Sequence, residues 1–192
     1  QQVSSAASDV YKRQELDRWY QVSLGNTKVG YAHSVMRMKD NKVYSESVFN
    51  LAIKRVGIPV KISSIEKTVE SIDGKILTFS GELKMAGVPV IKNGRVEGDE
   101  IIVLEKQFFR EHTKRYKLDP DGLMTWGFLK FLREKNFKVA GNEIETKIYS
   151  ADFGMEAPTN AKIKALGPST IQISGKPRPV SYTHLTLPTT PV

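Results

Sequence analysis

The chain has 192 residues, a formal net charge of +8 and no Cys. This length suits one domain with a genuine core. Without Cys, disulfides, Cys-zinc sites and a Cys nucleophile are excluded. No apolar run approaches the roughly 18 residues of a membrane span. Moderate hydrophobicity with many β-branched residues marks a folded domain rather than disorder.

The first segment does not read as protein evolution. Ser4 to Gln14 (SSAASDVYKRQ) is what the first-read adapter of a transposase-based sequencing library encodes. At the other end, Val180 to Thr189 (VSYTHLTLPT) is the translated reverse complement of the same adapter. Such segments are set aside before fold reasoning. The expectation is that 1–14 and 179–192 are adapter-derived and non-native. Residues 15–178 are then a single β-rich domain from a gene fragment, truncated at its C-terminal end. On this reading Lys12-Arg13 is not a basic motif, and Ser181 with His184 is not a site. Trimming Lys12, Arg13 and Asp9 lowers the net charge by one, to +7, so the basic character belongs to the insert. The adapter segments are expected to be irregular or poorly packed.

Period-two alternation dominates the first two thirds of the insert. A first strand begins at Trp19 and ends before the turn signal Gly25-Asn26. Val29 to Met38 and Val43 to Lys54 are the next strands, separated by Lys39-Asp40-Asn41-Lys42. Val60 to Ile72 follows, and Asp73-Gly74 is a hairpin signal before Ile76 to Met85. Val88 to Ile91 reads as a short strand, Asn93-Gly94 as the next hairpin turn, and Arg95 to Glu97 with Ile101 to Glu105 as its continuation. Then the period changes. Asp119-Pro120 predicts a helix start, with Asp as N-cap and Pro at the first helical position. Met124, Phe128, Phe131 and Leu132 share one face of a helix over about 120–136. Strand patterns resume at Glu143 to Ser150, Ala161 to Leu166 and Thr170 to Ser174. The fold class is mainly β: a long antiparallel meander curling into a half-barrel or open barrel, with one helix packed on it. A sheet this long must curl or close to protect its edges.

Few residues suggest chemistry. His33 has no Asp, Glu or second His at metal-ligand spacing and reads as a structural or surface His. His112 lies in the basic run 110–115, between Phe108, Phe109 and Tyr116. That composition suits single-stranded nucleic acid, but a half-buried strand with a solvated face explains it without a ligand. Glu66 with Glu70, and Glu143 with Glu145, are possible carboxylate pairs. Nothing else in the sequence converges on them, so a solvent face is the plainer reading. Gly94 to Gly98 lacks phosphate-loop spacing and reads as a hairpin. The aromatics Trp126, Phe128 and Phe131 are the candidate ligand-binding residues, lining an apolar cavity under a curled sheet, with plain core as the alternative. No catalytic residue, metal site or cofactor is predicted.

The opening segment, Arg18-Trp19-Tyr20-Gln21-Val22-Ser23-Leu24-Gly25-Asn26-Thr27-Lys28-Val29-Gly30-Tyr31-Ala32-His33, resembles the start of the β-rich domain that precedes the catalytic core in bacterial transglutaminase-like proteins. The Asp-Pro segment and the extended stretch from Lys138 to Gly175 continue that resemblance. Related exported β-rich domains, some similar to lipoprotein-carrier half-barrels, are nearly as close. In transglutaminase-like proteins the Cys-His-Asp chemistry lies downstream. The resemblance therefore implies a non-catalytic accessory domain in the periplasm or cell envelope. Its partner would be the downstream catalytic domain, and its role to position that domain or its substrate. Two other functions are carried forward: a periplasmic β-sheet module binding a lipid or other apolar ligand, and a nucleic-acid-binding domain. The positive charge also suits acidic ligands.

Overall fold

The computed structural model describes residues 16–24, 27–55, 58–85, 87–135, 137, 140–152, 154–173 and 176–186. Eight strands form an antiparallel meander in sequence order: β1 (Leu16–Leu24), β2 (Thr27–Lys39), β3 (Lys42–Arg55), β4 (Ile58–Ser71), β5 (Ile76–Met85), β6 (Val88–Glu97), β7 (Glu100–Gln107) and β8 (Arg110–Lys117). Among the described residues β1 and β8 are edges and the sheet is not closed. A second sheet has the order β12-β11-β10-β9, from β9 (Gly122–Leu123), β10 (Glu143–Ser150), β11 (Gly154–Ile173) and β12 (Lys176–Thr186). One helix, α1 (Thr125–Glu134), lies between β9 and β10 in the chain. Among the described residues the architecture is mainly β with one helix, as alternation predicts.

Turn residues explain most of the registers. Asp40 and Asn41 connect β2 to β3 with φ of 51° and 56°, and Asx residues tolerate that region. Gly98, at φ 63°, turns β6 into β7. Asn93-Gly94 is not a turn, contrary to the sequence reading: β6 runs straight through it. The reason is steric. A Cβ at Gly94 would collide with the ring of Phe79, so this glycine makes room for a core aromatic within a strand.

The helix also starts later than Asp119-Pro120 predicts. The Asp119 carboxylate accepts the backbone N–H of Asp121 at 2.9 Å, and Gly122 N–H donates to the Asp119 carbonyl at 3.0 Å. These bonds close a turn that leads into β9, which pairs in parallel with β10. Helical backbone begins at Thr125, where the N-cap Met124 offers no side-chain cap. Ala161 to Leu166 and the expected strand from Thr170, described as far as Ile173, merge into one long β11, with a register shift between Ala165 and Gly167. Residues 180–186, expected to be irregular, form part of β12, in register with β11 as far as Thr186. This segment alternates Val180, Tyr182 and His184 with Ser, Thr and Leu, a pattern that suits strand pairing. Asp9 to Gln14 lies outside the described residues.

The core has three parts. Ile76, Phe79, Ile101, Val103, Met124, Tyr149 and Met155 join the main sheet to the 149–155 segment. Met36 and Val43 bury Trp126. Phe137, Ile163 and Ala165 pack with Phe128 and Leu132 between α1 and β11.

Candidate functional site

Directly paired residues of antiparallel strands point to one face, so the registers define rows across the sheet. One row carries polar side chains at every position but Gly81: Arg18, Ser34, Ser47, Glu66, Gly81, Lys92, Glu105 and His112. On one side of it, the same face carries Met36, Val43, Phe79, Ile101 and Val103, all buried beneath α1 and the 149–155 segment. On the other side it carries Phe49, Leu51, Ile62, Leu83, Val88 and Val90, and none of these is buried. Met85 in the same rows is 51% exposed. One face of the sheet is therefore half core and half partly buried apolar surface, divided by a polar belt.

Two carboxylates four apart on β4 share this face, Glu66 in the belt and Glu70 on its core side, paired with Val43 and Ile76. Glu70 is completely buried. Its oxygens accept the backbone N–H groups of Trp126 at 2.7 Å and Gly127 at 2.9 Å. Thr68 Oγ1 donates to it at 3.1 Å. Glu70 thus does for α1 what an N-cap side chain would do, from a strand 56 residues earlier. Burial pushes its carboxyl above the ordinary range, opposed by those three hydrogen bonds. Glu66 accepts Ala151 N–H at 2.7 Å, Thr125 Oγ1 at 3.1 Å and Ser150 Oγ at 3.4 Å. Its carboxyl is pushed up to about 7 by burial first and the nearby Asp152 second. Asp152 in turn accepts the hydroxyls of Ser64 and Ser150. Gly81 lets this second layer approach: a Cβ there would lie 2.6 Å from the Ala151 carbonyl carbon.

A cavity of about 190 Å³ opens where the belt meets the apolar rows, lined by Ser47, Phe49, Ser64, Glu66, Ser150 and Asp152. Its walls offer hydroxyls and carboxylates on one side and an aromatic ring on the other. A larger groove of about 850 Å³ lies between α1 and the second sheet, where Leu123, Phe131 and Ala161 meet Lys147 and Lys162. Its lysines are engaged: Lys147 reaches Asp119 at 2.7 Å, and Lys162 reaches Glu143 at 2.5 Å. We favour the belt because it combines buried polar groups, a perturbed carboxyl and open apolar surface. Among the described residues, no group of three or more His, Asp or Glu is placed to hold a metal ion.

The three predicted aromatics separate. Trp126 is core, 5% exposed, with its indole N–H donating to Ile72 O at 3.0 Å. Phe128 packs with Phe137, and only Phe131 lines a groove. Glu66 and Glu70 face the interior rather than solvent. Glu143 and Glu145 lie on the surface, both near Lys162. His33 has a carboxylate partner that spacing did not reveal: its Nε2 is 2.8 Å from Asp17, and its ring stacks 4.1 Å from Trp19. In the 108–116 run, Lys114 pairs with Glu105 at 3.3 Å and Arg115 with Glu100 at 2.9 Å. His184 belongs to β12, and its side chain lies outside the described residues. The signal for the belt was present in the sequence as polar residues inside alternating strands, but only the register aligns them.

No protein-family model matches the chain, and no curated protein matches it. Among solved structures it is similar to a β-barrel-like protein of a domain of unknown function, DUF1849, from Brucella abortus. The TM-score is 0.54 at 11% identity, over 89% of this chain and 77% of that one. The likeness is one of fold, which by itself carries no function. Among the described residues no helix is long and apolar enough to cross a membrane.

Proposed function

We propose that the chain is a non-catalytic binding module for a single-chain amphiphile, held on the open half of the sheet face. The observation that supports this most is the abrupt change across the polar belt, from buried core to unburied Phe49, Leu51, Ile62 and Leu83. An apolar chain lies along those residues, and each methylene removed from water contributes about 0.8 kcal/mol. The head enters the small cavity, where Glu66 and Asp152 favour an ammonium or hydroxyl donor over an anion.

Calorimetric titration with dodecylamine, dodecanol and dodecanoate tests this. Affinity is expected to fall in that order. Leu51→Asp and Ile62→Asp should abolish binding of all three, while Asp152→Asn should narrow the gap between amine and acid. Equal affinity for all three heads removes the head assignment. Absence of binding, or binding indifferent to Leu51→Asp, removes the site.

A second reading is the accessory role implied by the resemblance to transglutaminase-like proteins. Its support is an aromatic platform within the resembling segment, on the outer face. Trp19 is 67% exposed, and Tyr31, 5.7 Å from it, is 43% exposed. Trp19→Ala should then weaken association with a separately expressed catalytic domain. Association that ignores this change, or none in the parent chain, ends the reading.

A further inference from the structure

We propose that the end of the main sheet carrying the β7–β8 turn docks on an anionic lipid bilayer, with Phe108 and Phe109 entering the membrane interface. The inference uses residues separate from the amphiphile site, although the open apolar rows face the same end of the sheet.

The turn itself is the first observation. Gln107 and Arg110 are the last paired residues of β7 and β8, so Phe108-Phe109 is a two-residue connection. Phe108 has φ of 53°, in a region where Gly or Asn is the ordinary choice and a bulky residue is rare. The Asp40-Asn41 turn of the same sheet follows that rule. Neither Phe gains burial in exchange: Phe108 is 74% exposed and Phe109 is 105% exposed. A turn that gives up local preference and exposes two aromatic rings points to an external contact.

Charge identifies the contact. The strand ends at this edge are residues 24–28, 54–58, 84–88 and 106–110. They contain Lys28, Lys54, Arg55, Lys84, Lys106 and Arg110, and no Asp or Glu. The opposite edge, at 39–42, 71–76, 97–100 and 117–121, has seven acids against four lysines. Lys84 reaches Glu82 and Lys106 reaches Glu111. The attraction therefore rests chiefly on the exposed Lys28 and Arg110. A protruding pair of rings covers roughly 300–500 Å² at most, below the roughly 800 Å² per partner of a stable protein interface. Two aromatic side chains beside several cations do suit the interface of an anionic bilayer.

Co-sedimentation of the full chain with phosphatidylcholine vesicles, with and without phosphatidylglycerol, tests the proposal. Binding is expected only with phosphatidylglycerol, and should fall as salt rises. Phe108→Asn/Phe109→Gly supplies an ordinary turn sequence, so the hairpin should melt no earlier than the parent. Its vesicle binding should fall by at least about tenfold, with dodecylamine affinity unchanged. Lys28→Glu/Arg110→Glu should remove the preference for phosphatidylglycerol. The proposal is overturned if the parent fails to sediment, if neutral vesicles bind it equally, or if the double Phe variant sediments like the parent. It is also overturned if mass measurements show self-association that the Phe variant abolishes. A parent chain that binds dodecylamine but no vesicle counts against docking alone; a parent chain that binds vesicles but no dodecylamine counts against the amphiphile site alone.

Discussion

Replacing Glu70 should damage this fold more than any surface carboxylate would, and by an amount set by two backbone donors. The side chain is fully buried and accepts two N–H groups of the first turn of α1, from Trp126 and Gly127. Glu70→Ala leaves both donors without an acceptor. Each orphaned buried donor costs about 1–3 kcal/mol, so the expected loss is roughly 4 kcal/mol. Glu70→Gln keeps the shape and one acceptor oxygen, so it should lose about half as much. Glu70→Leu is the sharper control. Replacing a buried charge by an apolar group is often neutral or stabilising when its partners leave with it. Here the backbone donors remain, so Leu must also destabilise. Urea unfolding followed by circular dichroism measures all three, provided the slope of the transition stays constant. A Glu70→Leu variant as stable as the parent would refute the capping argument. So would a Glu70→Ala loss below about 0.5 kcal/mol, the range of an ordinary surface substitution.

Glu66 makes stability depend on pH. Its carboxyl is raised to about 7 in the folded state against 4.5 for an ordinary Glu. The folded chain therefore binds more protons than the unfolded chain between those values. Its contribution is most favourable below about pH 4.5 and is lost as pH rises to about 7, by an amount on the order of 2–3 kcal/mol. Glu66→Gln should flatten that slope in urea titrations at successive pH values, leaving the weaker trend of the same sign from Glu70. An unchanged slope would show that Glu66 is ionised throughout. Gly81→Ala should cost more than about 2 kcal/mol, because its Cβ would press on the Ala151–Asp152 backbone. A Gly81→Ala variant of parental stability would mean the second layer does not dock there.

The main strands were legible because their causes are local. Alternation from Val43 to Lys54 and the Asp73-Gly74 signal specify strand and turn without reference to the rest of the chain. Local rules failed where a distant residue set the outcome. Asn93-Gly94 looks like a turn until Phe79 occupies the space above Gly94. Asp119-Pro120 looks like a helix start until β9 pairs with β10 and Glu70 caps the chain at Trp126. Glu66 and Glu70 look like solvent-facing residues because their partners lie 56 to 85 positions away.

The sequence by itself determined most strands of the meander, several of its turns and its basic charge, since periodicity, turn chemistry and composition act over a few residues. Tertiary structure alone decided that seven polar residues and Gly81 fall on one row, that two glutamates anchor the helix and second layer, and that the apolar residues on one half of the sheet face stay only partly buried. The physical reason is register. A one-residue slip in any hairpin would send every side chain of that strand to the other face, and no single strand carries the information that aligns it with seven others.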